Sequence, residues 1–111
     1  MSEIVVVGSL KARPGQEAAT AEALGALVAS THAEDGCILY ALNQGVADPT
    51  RFAFVERWAS QEHLDAHLAS AHIAAVLGRV DELLSEPPDI VVYTALPNGE
   101  ASKGSLAGHA G

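Results

Sequence analysis

Cysteine is nearly absent from this 111-residue chain, which contains Cys37 and no other. A single thiol excludes an intrachain disulfide and a cysteine-rich metal site. Cys37 follows Gly36 and precedes the apolar run Ile38-Leu39-Tyr40. We therefore expect Cys37 to be a buried residue of a strand rather than a reactive thiol.

Positive charge is also scarce. The chain has 6 Lys and Arg residues against 14 Asp and Glu residues, which gives a formal net charge of −8. Binding to nucleic acid or to an anionic membrane depends on the attraction between basic side chains and phosphate groups. Neither is therefore an expected partner.

Long apolar runs are missing as well. No stretch approaches the roughly 20 residues that a helix needs to cross a bilayer. The N-terminus has no basic segment before its short apolar run, whereas a signal peptide begins with one. We therefore expect a cytoplasmic protein.

Aromatic residues make up only 5% of the chain, although hydrophobic residues of all kinds make up 49%. We expect a core built chiefly from Ala, Val and Leu. The length fits a single domain, which we assign to residues 1–96. Residues 97–111 are small, polar and aperiodic, as is typical of a flexible tail, and we assign no role to His109 there.

Residue periodicity divides the domain into strands and helical regions. Strands are expected over residues 4–12, 37–44, 51–59 and 89–96. A helix is expected over residues 16–32, and a second helical region begins after Ser60, its predicted N-cap. The order β-α-β-β-α-β is the ferredoxin-like arrangement, an α+β fold in which a four-stranded antiparallel sheet carries its helices on one face.

The second helical region carries two apolar stripes. The first consists of Leu64, Leu68, Ala71 and Ala75, and the second of Ile73, Val76, Leu77, Val80 and Leu84. At 100° per residue the two stripes are rotated by roughly half a turn. One straight helix cannot bury both against one sheet, so we expect the helix to break near Ser70.

The other face of the sheet also bears apolar residues, since both faces of the first strand begin apolar. An exposed apolar patch of this kind usually marks a partner surface. A second copy of the same sheet is the simplest cover, so we expect a symmetric homodimer packed sheet to sheet.

Residues that suit a small-molecule pocket cluster around the end of the third strand. That strand ends in Glu56 and Trp58, and the helical region after it carries His63, His67 and His72. Imidazoles titrate near neutral pH, and a large aromatic ring can form a pocket wall. This segment is therefore the predicted site.

The helical positions rank the three histidines. His67 lies about 60° from the stripe formed by Leu64 and Leu68, so it borders the buried face, whereas His63 lies about 100° away at its flank. His72 falls at the predicted helix break. We expect His67 and His72 to serve as base and orienting donor, in an order that the sequence leaves open.

The other candidates have structural alternatives. Trp58 either binds substrate or fills the core at the end of the sheet. Tyr40 either binds substrate or lies in the core or in a dimer contact. Glu56 is either a pocket acid or one half of an ion pair with Arg57 or with a neighbouring strand.

A metal is not expected from the sequence. The i,i+4 spacing of His63 and His67 suits metal binding, but no third ligand is evident beside them.

Short motifs follow one another along the chain at characteristic spacings. They are Arg13-Pro14-Gly15, Glu34-x-Gly36-Cys37-x-x-Tyr40, Asp48-Pro49, Glu56-x-Trp58-x-Ser60, His63-Leu64-x-x-His67-Leu68 and His72. Together they resemble the antibiotic-biosynthesis monooxygenase family of dimeric α/β barrels, over about residues 3–96. The helical segment looks most similar to the small quinol monooxygenases of that family.

The resemblance implies a homodimer that oxidises a quinol, a phenol or a polyketide aromatic with O₂, without flavin, haem or metal. The carried-over pocket residues are Trp58, Tyr40, His63, His67 and His72. A base fits this chemistry because the anion of a quinol gives up an electron to O₂ far more readily than the neutral molecule does.

Two alternative functions remain at this point. One is a non-catalytic module that binds a small hydrophobic metabolite, because a fold alone does not settle a reaction. The other is haem degradation, which the resemblance makes less favoured, since haem-degrading relatives have an Asn on the first strand where this chain has Gly8.

Overall fold

The structure of the protein is a computed structural model that describes residues 3–106. Within this range the elements are β1 (Ile4–Lys11), α1 (Glu17–His32), β2 (Cys37–Gln44), β3 (Arg51–Trp58), α2 (Gln61–Leu68), α3 (Ala71–Leu77), α4 (Val80–Leu83) and β4 (Asp89–Tyr93). His109 and the rest of segment 107–111 lie outside the described residues, so the predicted tail stays a prediction.

The four strands form one antiparallel sheet with the order β2-β3-β1-β4. The predicted α+β ferredoxin-like fold is therefore confirmed. β4 ends at Tyr93, three residues earlier than expected. Glu56 pairs with Val6 of β1 on one side and with Tyr40 of β2 on the other. This register places the Glu56 carboxyl group near the centre of the sheet.

The helices pack on the face of the sheet that carries Val6, Phe54 and Trp58. Leu24 and Leu27 of α1 and Leu64 of α2 join these residues in one buried cluster. The expectation of an aliphatic core is only partly right. The buried cluster contains Tyr40, Phe52, Phe54 and Trp58, which are four of the five aromatic residues in the chain.

The break in the second helical region is confirmed at Ser70. α2 ends at Leu68 and α3 begins at Ala71. The Ser70 hydroxyl accepts a hydrogen bond from the backbone N–H of Ile73 at 3.4 Å and donates one to the carbonyl oxygen of His67 at 2.6 Å. Ser70 thus caps the new helix and ties it to the end of the previous one, which lets each half present its own apolar stripe.

The predicted N-cap of α2 is also confirmed, because the Ser60 hydroxyl accepts from the backbone N–H of His63 at 3.3 Å. The expectation that Cys37 is buried is wrong, since Cys37 is partly exposed. A β-bulge between Cys37 and Leu39 interrupts the pairing of β2 with β3 at this point. A bulge bends a strand locally and re-aims its side chains.

The sheet face opposite the helices carries a group of apolar residues. Val5, Val7 and Val55 lie there partly exposed, and Val91 and Tyr93 of β4 are 37% and 49% exposed. The predicted homodimer would cover this face. Among the described residues, no helix has the length and apolarity that crossing a bilayer requires.

Candidate active site

A cavity of about 180 Å³ lies between the sheet and the helices. Its lining is predominantly aliphatic and aromatic. The lining residues are Gly8, Leu10, Leu24, Leu27, Tyr40, Phe54, Glu56, Leu64, His67, Leu68, Ile73, Leu77, Pro88 and Ile90. Tyr40, Glu56 and His67 are the lining residues with polar side-chain groups. An apolar cleft with a few convergent polar groups is the usual form of a small-molecule site.

His67 reaches this cavity from α2. Its side chain is 2% exposed, and its ring centroid lies 4.7 Å from that of Trp58 and 5.2 Å from that of Tyr40. His67 lies three residues after the buried Leu64, which places both side chains on the same face of α2. Nδ1 of His67 lies 2.6 Å from Oε2 of Glu34.

His72 approaches the same carboxylate from α3. Nε2 of His72 lies 2.7 Å from Oε2 of Glu34, so one oxygen atom contacts both imidazole rings. His72 is 26% exposed and Glu34 is 17% exposed. The structure therefore brings together the two histidines predicted as base and donor, through a carboxylate that lies between them.

Glu34 is the site residue that sequence reasoning missed. It lies in the turn after α1, in the segment Glu34-Asp35-Gly36. Gly36 has a φ of +80°, and a Cβ atom there would lie 2.2 Å from Cγ of His63. Only glycine therefore fits this turn. The signal that could have identified Glu34 is its position two residues before that glycine, in a motif that the family resemblance had already selected.

Glu56 lies on the floor of the cavity and is 5% exposed. Its Oε1 accepts a hydrogen bond from Nε1 of Trp58 at 2.8 Å. Burial raises the pKa of the Glu56 carboxyl group, and the charge of Glu34 adds to this, while the hydrogen bond from Trp58 acts in the opposite direction. A carboxyl group in such surroundings can hold its proton and donate a hydrogen bond.

Glu56 is not the ion-pair partner of Arg57. Arg57 is on the opposite face of the sheet, where its guanidinium group contacts the Glu3 carboxylate, with Nη2 at 2.9 Å from Oε1. Arg57 is therefore remote from the cavity and cannot orient a substrate oxygen there.

Trp58 is fully buried and is not part of the cavity lining. Its indole N–H is engaged by Glu56, so it is not free to donate to a ligand. The indole ring packs beside the His67 ring and donates its hydrogen bond to Glu56, so it helps to position both side chains. The predicted contact between Trp58 and substrate is thus an indirect one in this arrangement.

His63 also lies outside the cavity lining. Its Nδ1 is 2.8 Å from the hydroxyl oxygen of Ser60, its Nε2 is 3.8 Å from Asp35, and its side chain is 36% exposed. The ring packs over the turn at Gly36. Its observed contacts are those of a structural residue at the start of α2.

Tyr40 lines the cavity and is 3% exposed. Burial, with a smaller contribution from the charge of Glu56, raises the pKa of its phenol group. Tyr40 therefore stays protonated at neutral pH and can act as a neutral hydrogen-bond donor.

The residues that could hold a metal differ from the expected pair. Glu34, His67 and His72 each offer one ligand atom, and these atoms lie within 4.8 Å of one another. His63, which the sequence paired with His67, is not part of this group.

Comparison with known proteins identifies the family. The family model described as Antibiotic biosynthesis monooxygenase matches residues 3–79. The chain therefore belongs to the antibiotic biosynthesis monooxygenase family, as its motifs indicated.

Individual relatives are similar to this chain over nearly their whole length. "Putative monooxygenase Rv0793" of Mycobacterium tuberculosis is 33% identical over 100 residues, which cover 90% of this chain and 98% of the relative. Its solved structure superposes with a TM-score of 0.81, covering 89% of this chain and all of that one. PA3566 of Pseudomonas aeruginosa also gives a TM-score of 0.81, at 28% identity, covering 86% of this chain and 96% of that one.

Proposed function

We propose that this protein is a cofactor-independent monooxygenase that oxidises a quinol or a related phenol with O₂. The proposal rests chiefly on one observation: His67 lines an apolar cavity while its Nδ1 contacts the Glu34 carboxylate at 2.6 Å. Membership of the monooxygenase family and the name of the relative Rv0793 support the general reaction class. The substrate and the roles of the residues are inferred from the site.

The contact with Glu34 determines which nitrogen of His67 can act as a base. A carboxylate accepts hydrogen bonds, so Nδ1 carries the proton and donates it to Oε2. Within residues 3–106, Nδ1 has this partner and Nε2 has no hydrogen-bond partner. The lone pair is therefore on Nε2, and Glu34 stabilises the imidazolium ion that forms when Nε2 takes a proton. General-base assistance of this kind typically contributes about 10²- to 10⁴-fold in rate.

The reaction then follows from the substrate anion. A quinol O–H transfers its proton to Nε2, and the anion transfers an electron to O₂. The resulting radical pair combines at a ring carbon, and His67 returns the proton to give a hydroperoxide. Loss of water leaves a hydroxyquinone, so that one oxygen atom enters the product and the other leaves as water.

Glu56 and Tyr40 supply hydrogen bonds on the opposite side of the cavity from the helices. Their raised pKa values favour the protonated forms, which can donate to a substrate oxygen as negative charge develops there. The apolar lining keeps water away from these groups, which strengthens each interaction.

The cavity size limits the substrate. A cavity of about 150 Å³ lined by apolar residues holds benzene, and this one measures about 180 Å³. A substrate with one aromatic ring or two fused rings fits best. A large polyketide aromatic or a haem macrocycle does not match this volume, which disfavours those alternatives.

The homodimer and the cytoplasmic location predicted from the sequence remain part of the proposal. The partly exposed valines on the outer sheet face support the homodimer, since they form a continuous apolar surface across β1, β3 and β4.

A non-catalytic binding module is the second candidate function. It is favoured by one observation, namely that the cavity lining is apolar apart from the polar groups of Tyr40, Glu56 and His67. Such a module would bind a small hydrophobic metabolite and change the fluorescence of Trp58, but it would not consume O₂.

The experiment uses metal-free protein, a panel of one-ring and two-ring quinols and an O₂ electrode. The proposal predicts O₂ uptake above autoxidation and, with ¹⁸O₂, one labelled oxygen atom in the hydroxyquinone. His67→Gln should lower kcat by about 10²-fold or more, whereas His63→Gln should leave it unchanged. If ligands quench Trp58 but no compound in the panel is oxidised, the binding module replaces the oxygenase.

A further inference from the structure

We propose that Glu34, His67 and His72 form a binding site for one divalent transition-metal ion of the zinc class. Their ligand atoms lie within 4.8 Å of one another. The three residues come from the α1–β2 connection, from α2 and from α3. Two consecutive helices thus direct their imidazoles towards a carboxylate that lies more than 30 residues earlier in the sequence.

The donor set suits such an ion. Two imidazole nitrogens and one carboxylate oxygen are the protein ligands of many zinc sites that keep a further position for water. Imidazole also favours zinc, cobalt and nickel over magnesium and calcium, which prefer oxygen ligands. The formal net charge of −8 attracts cations to the protein in general.

The site can be reached from solvent on one side. His67 is 2% exposed, whereas His72 is 26% exposed and Glu34 is 17% exposed. An ion can therefore approach past His72 and Glu34 while the buried His67 ring forms the inner ligand. This pattern leaves a solvent-facing side on which water can complete the coordination.

The observed distances require only small movements. Each imidazole nitrogen now contacts Oε2 of Glu34 through a hydrogen bond of 2.6 or 2.7 Å. An ion bonded at about 2.0–2.2 Å to each ligand replaces those shared protons and needs the ligands spaced at about 3 Å or slightly more. Shifts of about 0.5 to 1 Å suffice, and the partly exposed His72 and Glu34 side chains can make them.

Metal binding and base catalysis exclude each other at His67, a consequence that rests on the proposed function. A metal on Nδ1 displaces the proton from that nitrogen, so the neutral ring then carries its proton on Nε2. Nε2 is the nitrogen proposed to accept the substrate proton. The ion also takes the carboxylate of Glu34. Zinc should therefore inhibit the oxygenase reaction.

The binding experiment titrates the metal-free full chain with CoCl₂, whose visible absorption changes in position and intensity when protein ligands replace water, and with ZnCl₂ against a chromophoric chelator. We expect one equivalent to bind. Glu34→Gln and His72→Gln should each weaken binding at least about tenfold. His63→Gln is the matched control, because His63 is a nearby histidine outside the group. The affinity of this variant for Co²⁺ and Zn²⁺ should equal that of the wild type. Circular dichroism verifies that each variant is folded.

The absence of saturable Co²⁺ binding overturns the proposal. Equal affinities of Glu34→Gln, His72→Gln and the wild type also overturn it, because the ion then binds elsewhere.

Inhibition is tested separately from binding. Where metal-free protein consumes O₂, added Zn²⁺ should stop the reaction in proportion to occupancy, and a chelator should restore it. If metal-free protein shows no O₂ uptake, the proposed function fails, and the Co²⁺ titration still decides the metal site.

Discussion

Nδ1 of His67 and Oε2 of Glu34 lie 2.6 Å apart although 33 residues separate them in sequence. His67 is nearly inaccessible to solvent, so its hydrogen bond to the carboxylate forms in a region where water competes poorly. Charge-assisted hydrogen bonds of this type are among the stronger ones in proteins. The pair therefore holds the imidazole ring in one orientation and one tautomer.

Replacing Glu34 with Gln should impair catalysis more than binding. The amide is similar in shape, but it carries no charge and cannot stabilise the imidazolium form of His67. We expect kcat to fall by about 10²-fold with little change in KM.

Steady-state O₂ uptake measures both constants, and ¹⁵N NMR of the histidine rings reports whether the proton of His67 has left Nδ1. Asp35→Asn is the matched control, since Asp35 is an adjacent carboxylate that is fully exposed. A Glu34→Gln variant with wild-type kcat and an altered tautomer would show that the tautomer of His67 does not matter for the reaction.

The helices and strands that periodicity defines were predictable from the sequence. The contacts between side chains that are distant in sequence were not. The two apolar stripes that begin with Leu64 and with Ile73 predicted the break near Ser70, because one straight helix cannot bury both stripes against the same sheet. Glu34 could not be identified in this way. Its role depends on a loop that returns to α2 and α3, and the periodicity of a helix or strand carries no information about such a contact.

The same limit explains the outcome at His63 and Trp58. The sequence predicted both as pocket residues, and neither lines the cavity, although their elements α2 and β3 do contribute to its lining. Their polar atoms are occupied by local partners, Ser60 for His63 and Glu56 for Trp58. A side chain with a nearby partner can lie beside a cavity without facing it, and helical or strand geometry alone does not distinguish the two cases.

Filling the cavity from the sheet side should weaken substrate binding. A Cβ atom on Gly8 would lie 3.8 Å from Oε2 of Glu56 and 3.9 Å from a side-chain carbon of Ile90, which are ordinary van der Waals distances. Gly8→Ala should therefore be tolerated. Gly8→Leu places a larger side chain in the cavity and should lower kcat/KM by at least about tenfold, which corresponds to a loss of about 1.4 kcal/mol.

Kinetics with the substrate and thermal unfolding together measure this effect. Gly25→Ala is a suitable control, because Gly25 is in α1 and a Cβ atom there meets nothing within 4 Å. That variant should gain about 0.5–1 kcal/mol in stability through the better helix propensity of alanine and keep the wild-type kinetics. Unchanged kcat/KM in a folded Gly8→Leu variant would remove the cavity from the substrate site.

A charge on the outer face of the sheet should separate the predicted dimer. Val7 and Val55 pair across β1 and β3 near the middle of this face. Val7→Glu would place a carboxylate in the interface, where its desolvation is unfavourable. The mass measured by sedimentation should fall from twice the chain mass of 11.4 kDa in the wild type to the mass of a single chain in the variant.

Val46→Glu is the control for this test, since Val46 is a fully exposed loop residue and its substitution should leave the mass unchanged. A wild-type protein that sediments as a monomer would contradict the sheet-to-sheet dimer. A dimer that persists in a folded Val7→Glu variant would place the interface elsewhere.

The buried Glu56 carboxyl group should make the stability of the protein depend on pH. Burial raises the pKa of Glu56 above its usual value of 4.5 in the folded state. Between the usual and the raised value, the folded state binds more protons than the unfolded state, so the free energy of unfolding falls as pH rises through this window. Glu56→Gln removes that loss while keeping an acceptor for the indole N–H of Trp58. The variant should therefore gain stability relative to the wild type as pH rises from 4 to neutrality.

Urea unfolding at a series of pH values measures this difference. Asp48 provides a control of opposite sign, because hydrogen bonds from the Thr50 side chain and backbone lower the pKa of its carboxyl group. The ionised Asp48 carboxylate therefore stabilises the folded state above its usual pKa, and this stabilisation is lost as pH falls. Asp48→Asn should consequently be less stable than the wild type towards neutral pH. Parallel stability curves for Glu56→Gln and the wild type would show that the Glu56 carboxylate is solvated in solution. The proposed hydrogen bond from a protonated Glu56 to the substrate oxygen would then lose its support.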